Sequence, residues 1–288
     1  MEAASIAQQQ DVRGRLHGLW AAVAGGWGDH AEFVDRRGAE VTARMLELAS
    51  PQRGERVLEL ACGPGSVGLA AAPLVAPGEV VMSDVVKAMT AIAARRAAER
   101  GLGNVTTREL DIESIDERDS SYDVVLCREG LMFATDHARA TGEIARVLKP
   151  GGRAAIAVWG PRERNPWLAL VFDAVSAQAG HPLPPPGVPG PFALDDAGRV
   201  EALLSGAGLD GVSVDELSTP LRAGSFEEWW ERTRALAGPL AKILESMPPD
   251  AVTAIEERLR EATKPYATDR GLELPGVTLL ANGQRAPV

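Results

Sequence analysis

Residues 57–68 read Val57-Leu58-Glu59-Leu60-Ala61-Cys62-Gly63-Pro64-Gly65-Ser66-Val67-Gly68. Val57, Leu58 and Leu60 form a short apolar run entered from the turn residues Pro51, Arg53 and Gly54. Three glycines then lead into Leu69-Ala70-Ala71-Ala72. The pattern predicts a buried strand, a tight glycine turn and a helix start. Without a Cβ, Gly63 and Gly65 permit positive φ and let a ligand lie against bare backbone. Free N–H groups at the helix start favour a polar or anionic group.

Two readings of this turn compete. Gly63-Pro64-Gly65-Ser66-Val67-Gly68 fits the dinucleotide pattern G-x-G-x-x-G, and Asp84 lies near the distance expected of a ribose-binding acid. The same glycines also suit a turn that holds nothing. Glu59 separates the readings, because a strand buried on both faces does not tolerate an unpaired carboxylate just before the turn. An acid there needs local donors, either turn N–H groups or a ligand ammonium.

Glu59-Leu60-Ala61-Cys62-Gly63-Pro64-Gly65 resembles the first motif of class I S-adenosylmethionine-dependent methyltransferases. Three later landmarks extend the resemblance in order. Glu79 to Asp84 reads as a second strand with an acid at its carboxyl end. Tyr122 to Cys127 reads as the fourth strand, followed by Arg128-Glu129-Gly130-Leu131-Met132-Phe133. Leu148-Lys149-Pro150-Gly151-Gly152 then precedes the apolar run Ala154 to Trp159. The likeness covers residues 55–160 and is greatest to the small-molecule, quinone-methyltransferase-like branch. It implies a doubly wound α/β fold: a seven-stranded, mostly parallel, Rossmann-like sheet with a helical cap.

The resemblance implies that Glu59, Ala61, Gly63, Gly65, Asp84, Asp111 and Cys127 surround the cofactor S-adenosylmethionine. Asp84 would accept the ribose hydroxyls; a helix N-cap is its other reading. Val85 and Met89 follow as cofactor-binding candidates, Met89 flanking adenine or simply filling core. Asp111 would accept from the adenine amino group with Ile112 against the ring, or be a turn carboxylate. Cys62 and Cys127 end neighbouring strands and read as small buried residues rather than a redox pair.

Organisation follows from the same landmarks. Residues 1–50 read as an N-terminal helical cap segment, with Gly25-Gly26 interrupting a first helix and a second running from about Asp29 to Leu48. Residues 51–160 form the cofactor-binding core. Residues 161–194 are an insertion or lid, stiffened by Pro182-Leu183-Pro184-Pro185-Pro186. Residues 195–222 return a core helix and a strand over Val212 to Leu221. Residues 223–272 give a helical pair, Phe226 to Met247 and Asp250 to Ala262. Residues 273–288 hold the last strand, Gly276 to Ala281, and a tail.

Net charge is −10, from 40 acids against 30 bases, and no Lys/Arg stripe stands out, so no nucleic-acid partner is expected. Glycine and proline break the longest apolar stretches, so no membrane partner is expected either. Met1 to Gln10 lacks the basic and apolar regions of a signal peptide, which suggests a cytoplasmic protein. Four histidines and two cysteines, well scattered, give no metal-ligand spacing, and no metal is expected.

The expected function is methyl transfer by in-line displacement to a small, hydrophobic or aromatic acceptor. Trp20, Trp27, Phe133, Trp159 and Trp167 are the substrate-binding candidates; packing alone also explains tryptophans in a cap. His30 is preferred as a general base over Glu129, His137 and His181, because its helix should cover the pocket. The alternatives are a nicotinamide-dependent oxidoreductase and a non-catalytic S-adenosylmethionine-binding protein.

Overall fold

The computed structural model describes residues 2–287. Its centre is a seven-stranded sheet in the order β3-β2-β1-β4-β5-β10-β6. The strands β1 (Arg56–Leu60), β2 (Glu79–Asp84), β3 (Val105–Glu109), β4 (Tyr122–Arg128) and β5 (Leu148–Trp159) run parallel. The later strand β10 (Val277–Arg285) lies antiparallel between β5 and β6 (Leu209–Ser218). This is the doubly wound α/β architecture.

Strand alternation assigns the two faces. Val57, Val80, Val124 and Leu126 pack with helices α3 (Ala39–Ala49), α4 (Ser66–Val75) and α5 (Lys87–Glu99). Leu58, Leu60, Val81, Val125 and Ile156 face the opposite layer, where α6 (His137–Val147) and α8 (Ala197–Gly206) lie. Glu59 shares the Val57 face, and its 2% exposure makes it a buried charge within an apolar layer.

The cap is assembled from three stretches of chain. Helices α1 (Glu2–Asp29) and α2 (Ala31–Arg37) precede the sheet. Helix α7 (Pro166–Ala179) follows β5. The last stretch holds β7 (Leu221–Ala223), α9 (Phe226–Leu236), α10 (Pro239–Ser246), α11 (Pro249–Thr263), β8 (Ala267–Thr268) and β9 (Gly271–Leu274). Trp229, Trp230, Leu240, Ile255 and Leu259 bury a separate core with Val171 and Val175 of α7. No described helix is long and apolar enough to cross a membrane.

Several element boundaries differ from the sequence reading, each for a tertiary reason. Helix α1 continues through Gly25-Gly26 to Asp29. Gly26 acts by close packing, since a Cβ there would lie 2.8 Å from the Ala235 carbonyl oxygen on α9. The second predicted helix divides at Gly38, where a Cβ would overlap the Arg128 guanidinium. The helical pair of the last stretch is three helices, because Gly238, at φ 57°, ends the first and lets Trp20 pack against it. Leu221 belongs to a three-stranded sheet, β7-β9-β8, that the sequence did not suggest. The strand β5 begins at Leu148 rather than Ala154, and β10 extends to Arg285 rather than Ala281.

A polar junction ties cap to turn. Asp35 of α2 accepts from Ser66 Oγ at 2.5 Å and from Arg100 at 2.9 Å, and pairs with Arg96. Arg96 in turn donates to the Pro64 carbonyl at 2.6 Å. Burial pushes the Asp35 pKa up, but Ser66 and the two guanidiniums outweigh it and hold the carboxyl below its ordinary value. An acid depressed in this way stabilises the fold above its unfolded pKa, and the contribution is lost as pH falls through the folded value. Asp35→Asn is therefore expected to lower Tm more at pH 7 than at pH 3. An equal loss at both pH values would show that the ion pairs contribute nothing.

Candidate active site

The carboxyl ends of β1, β2 and β3 open onto a cavity of about 310 Å³, within the range of small-molecule sites. The turn after β1 is wound tightly: Ala61, Gly63 and Gly65 have φ of 50°, 51° and 90°. Ala61, Cys62, Gly63 and Pro64 line the cavity. Gly65 does not. It faces inward, where a Cβ would sit 2.9 Å from Met82 Sδ and 3.0 Å from Ala93 Cβ, so it lets the turn settle on β2 and α5.

Three carboxylates stand at successive strand ends. Glu59 accepts from the N–H groups of Val67 (3.2 Å) and Gly68 (2.8 Å) at the first turn of α4. The donors this buried acid requires are thus supplied by the helix start itself. Burial lifts its pKa to about 7 against the opposing effects of those N–H groups and of Arg128. At the end of β2, Asp84 is 9% exposed and accepts from the N–H of Gly63 and of Val86, each at 2.9 Å. Burial raises its pKa also, with the two backbone bonds opposing. Beyond β3, Asp111 accepts from Glu113 N–H at 2.8 Å, leaving its second oxygen 3.4 Å from Arg13 Nε.

Between these acids, Val85, Met89 and Ile112 form apolar wall. The N-terminal helix closes that end with Arg13 and His17, which the sequence reading missed. His17 Nε2 is 4.0 Å from Asp111, and burial lowers its pKa despite that neighbour, so the ring is neutral at pH 7. Glu113, also missed, is buried and accepts from Thr135 N–H at 2.6 Å. All three lay in stretches where one residue gives no period and its partner is distant in sequence.

The other end of the cavity is aromatic. Trp27, Trp20, Phe133, Trp159 and Trp167 all line it. They form a continuous edge-to-face series, with ring centroids 5.9, 5.0, 6.5 and 5.0 Å apart in turn. Each such contact adds ~0.5–1.5 kcal/mol beyond area burial. Trp20 and Trp27 come from one face of α1, seven residues apart. Trp159 ends β5. Trp167 is held by Asn165, whose Oδ1 accepts from Trp167 Nε1 and from Val277 N–H, each at 3.0 Å. Asn165 Nδ2 also donates to the Gly160 and Val277 carbonyls at 3.1 Å, so one buried amide joins α7 to β5 and β10.

Besides Gly65, two expected site residues lie elsewhere. His30 is not in the cavity wall; it sits in a surface cleft with Asp29, Glu228, Glu231 and Arg232. Helix α1 continues past the sequence-predicted break and carries that corner outward, which removes the geometric case for His30 as a base. Cys127 is fully buried beneath Gly130, and burial pushes its thiol up to about 12. Cys127 pairs with Leu60, and Cys62, two residues further along the chain, reaches the cavity instead. Of the other base candidates, Glu129 lines the cavity, whereas His137 and His181 do not.

The family model described as a methyltransferase domain matches residues 57–152, a span that includes both the glycine turn and Leu148-Lys149-Pro150-Gly151-Gly152. Over 133 residues the chain is 36% identical to a ubiquinone/menaquinone biosynthesis C-methyltransferase of Ectopseudomonas mendocina, covering 46% of this chain and 52% of that protein. The chain thus spans about half the length of the curated relatives it matches. Among solved structures it resembles the YcgJ protein of Bacillus subtilis, with TM-score 0.61 and 21% identity over 87% of this chain and 100% of that one. A putative methyltransferase of Bacillus halodurans gives TM-score 0.56 and 20% identity over 85% and 98%. These two likenesses establish the shared fold.

Proposed function

We propose that the chain is a class I S-adenosylmethionine-dependent methyltransferase that transfers a methyl group to a small aromatic or apolar acceptor, a reading supported by the methyltransferase-domain match over residues 57–152. One observation carries this reading: a single cavity joins the acids at three strand ends to the aromatic series. Asp84 and Asp111 retain acceptor capacity toward ribose hydroxyls and an adenine amino group. Val85, Met89 and Ile112 are suited to flank the base. Glu59 supplies negative charge behind the turn against which the methionine part would lie. When bound, S-adenosylmethionine supplies a methyl group already activated by the positive charge on sulfur. The protein's contribution is alignment and exclusion of water by the aromatic wall, and no protein nucleophile is required.

Calorimetry with S-adenosylhomocysteine tests the reading. Binding to the wild type, with none for NADH, is expected; the reverse pattern would overturn it. The same titration carries a pH signature. Glu59 must ionise to meet a ligand ammonium, and its raised pKa means that the ionised form appears only as pH rises through about 7. Affinity is therefore expected to rise by up to about tenfold per pH unit below 7 and to level off above it. Glu59→Gln should flatten that profile. A flat wild-type profile would remove Glu59 from the binding step.

A further inference from the structure

Arg37 closes α2 and lines the cavity at its aromatic end. Its guanidinium carbon lies 4.1 Å from the centre of the Trp167 ring, so the planar cation is stacked on the last member of the series. Its Nε is buried without a hydrogen-bond partner. The opposite charge acting on it is Glu129, and Arg128 opposes that effect; neither forms an ion pair or hydrogen bond with Arg37 among the described residues. Arg128 is itself engaged, donating to Thr42 Oγ1 at 2.8 Å.

A guanidinium with a buried, unpaired N–H is costly to keep. Here it is also held in position. Trp167 is fixed by Asn165 and stacks at its face, so the fork of N–H donors is oriented before any ligand arrives. A guanidinium fork matches the two oxygens of a carboxylate. The neighbouring Trp159 Nε1 is a second buried donor without a partner, in the same wall.

We propose that Arg37 receives a carboxylate on the methyl acceptor, so that the acceptor is an aromatic or apolar acid rather than a neutral molecule. This rests on the methyl-transfer reading above. The aromatic series would take the hydrophobic body, and Arg37 would fix which end faces the turn. Arg37 is a specificity-determining residue and takes no part in bond making.

The test uses a near-isosteric pair, cinnamate and cinnamamide, in which the amide lacks the charge and one acceptor oxygen, titrated into protein saturated with S-adenosylhomocysteine. Wild type should bind the acid at least about tenfold more tightly than the amide, as a charge-assisted pair requires. Arg37→Met should lose that preference, and Arg37→Lys should keep part of it. Neither should change S-adenosylhomocysteine affinity more than about threefold, since each variant leaves the strand-end acids in place. Equal affinities in the wild type, or no binding of the acid at millimolar concentration, overturn the proposal without any variant. A preference that survives in Arg37→Met overturns it as well. If S-adenosylhomocysteine binding collapses in Arg37→Met while Tm is retained, the anion received is the cofactor's carboxylate and the acceptor assignment fails. Absence of S-adenosylhomocysteine binding to the wild type would instead sink the methyl-transfer reading.

Discussion

Replacing Asp84 by alanine is expected to weaken S-adenosylhomocysteine binding by at least about a hundredfold, because two hydrogen bonds from ligand hydroxyls to a carboxylate contribute ~1.5–3 kcal/mol each. Stability should move differently. Burial raises the Asp84 pKa, so ionisation at neutral pH works against folding of the empty protein, and the bonds from Gly63 and Val86 only partly offset this. Asp84→Asn keeps an acceptor oxygen for one of those N–H groups. The apo form of that variant should melt no lower than the wild type at pH 7 while losing cofactor affinity. Calorimetric titration and differential scanning calorimetry on the same samples separate the two effects. An Asp84→Ala protein that binds S-adenosylhomocysteine like the wild type would remove Asp84 from the ligand altogether.

The second large effect concerns Gly130. A Cβ there would overlap the Ala61 Cβ and lie 3.2 Å from Cys127 Sγ, although Gly130 itself has an unstrained φ of −111°. Ala61 cannot easily yield, because it is already held at φ 50° by the turn. Gly130→Ala should therefore destabilise by ~1–3 kcal/mol, the usual range for overpacking, and lower Tm by several degrees. Ala61→Gly removes both the colliding methyl and the left-handed strain. The double variant should recover at least half of the loss, whereas independent sites would simply add. Additivity of the two changes in thermal melts would show that the loops after β1 and β4 are not in contact in solution.

How much of this was readable from residues varies by the range of the interaction involved. Alternation in Val57 to Leu60, glycines at the turn and an acid after the next strand are local signals, and sheet order follows from their sequence. Gly25-Gly26 looked like a helix break because a glycine pair is locally unfavourable in a helix. Its actual role depends on the Ala235 carbonyl, more than two hundred residues away, which no local pattern carries. The strands β7, β8 and β9 span three, two and four residues, too short to display a period of two. His30 and Cys127 were misplaced for related reasons. A histidine's use depends on the path of its helix, and a cysteine at a strand end faces whichever side the pleat dictates. Arg37 and Asn165 left no trace, since one arginine or asparagine has no spacing; only their unpaired or fully paired atoms reveal them.

The position of β10 has a consequence for how the molecule is made. The five parallel strands β3-β2-β1-β4-β5 are complete once residue 159 has emerged, and they can collapse with α3 to α6 from contacts of modest sequence separation. β6 has no strand to pair with until β10 is synthesised, and β10 must then enter between β6 and β5 after the whole of 219–276 has looped out and folded as cap. Non-local pairing of this kind is slow and leaves strand edges open meanwhile. Trp159, paired with Thr278, and Asn165, bonded to Val277, take their final places in the same event. The half that carries the glycine turn and the strand-end acids is thus an early structure in the life of each chain. The aromatic half, which on the proposed function would choose what is modified, is the last to be assembled and the first exposed to errors of assembly.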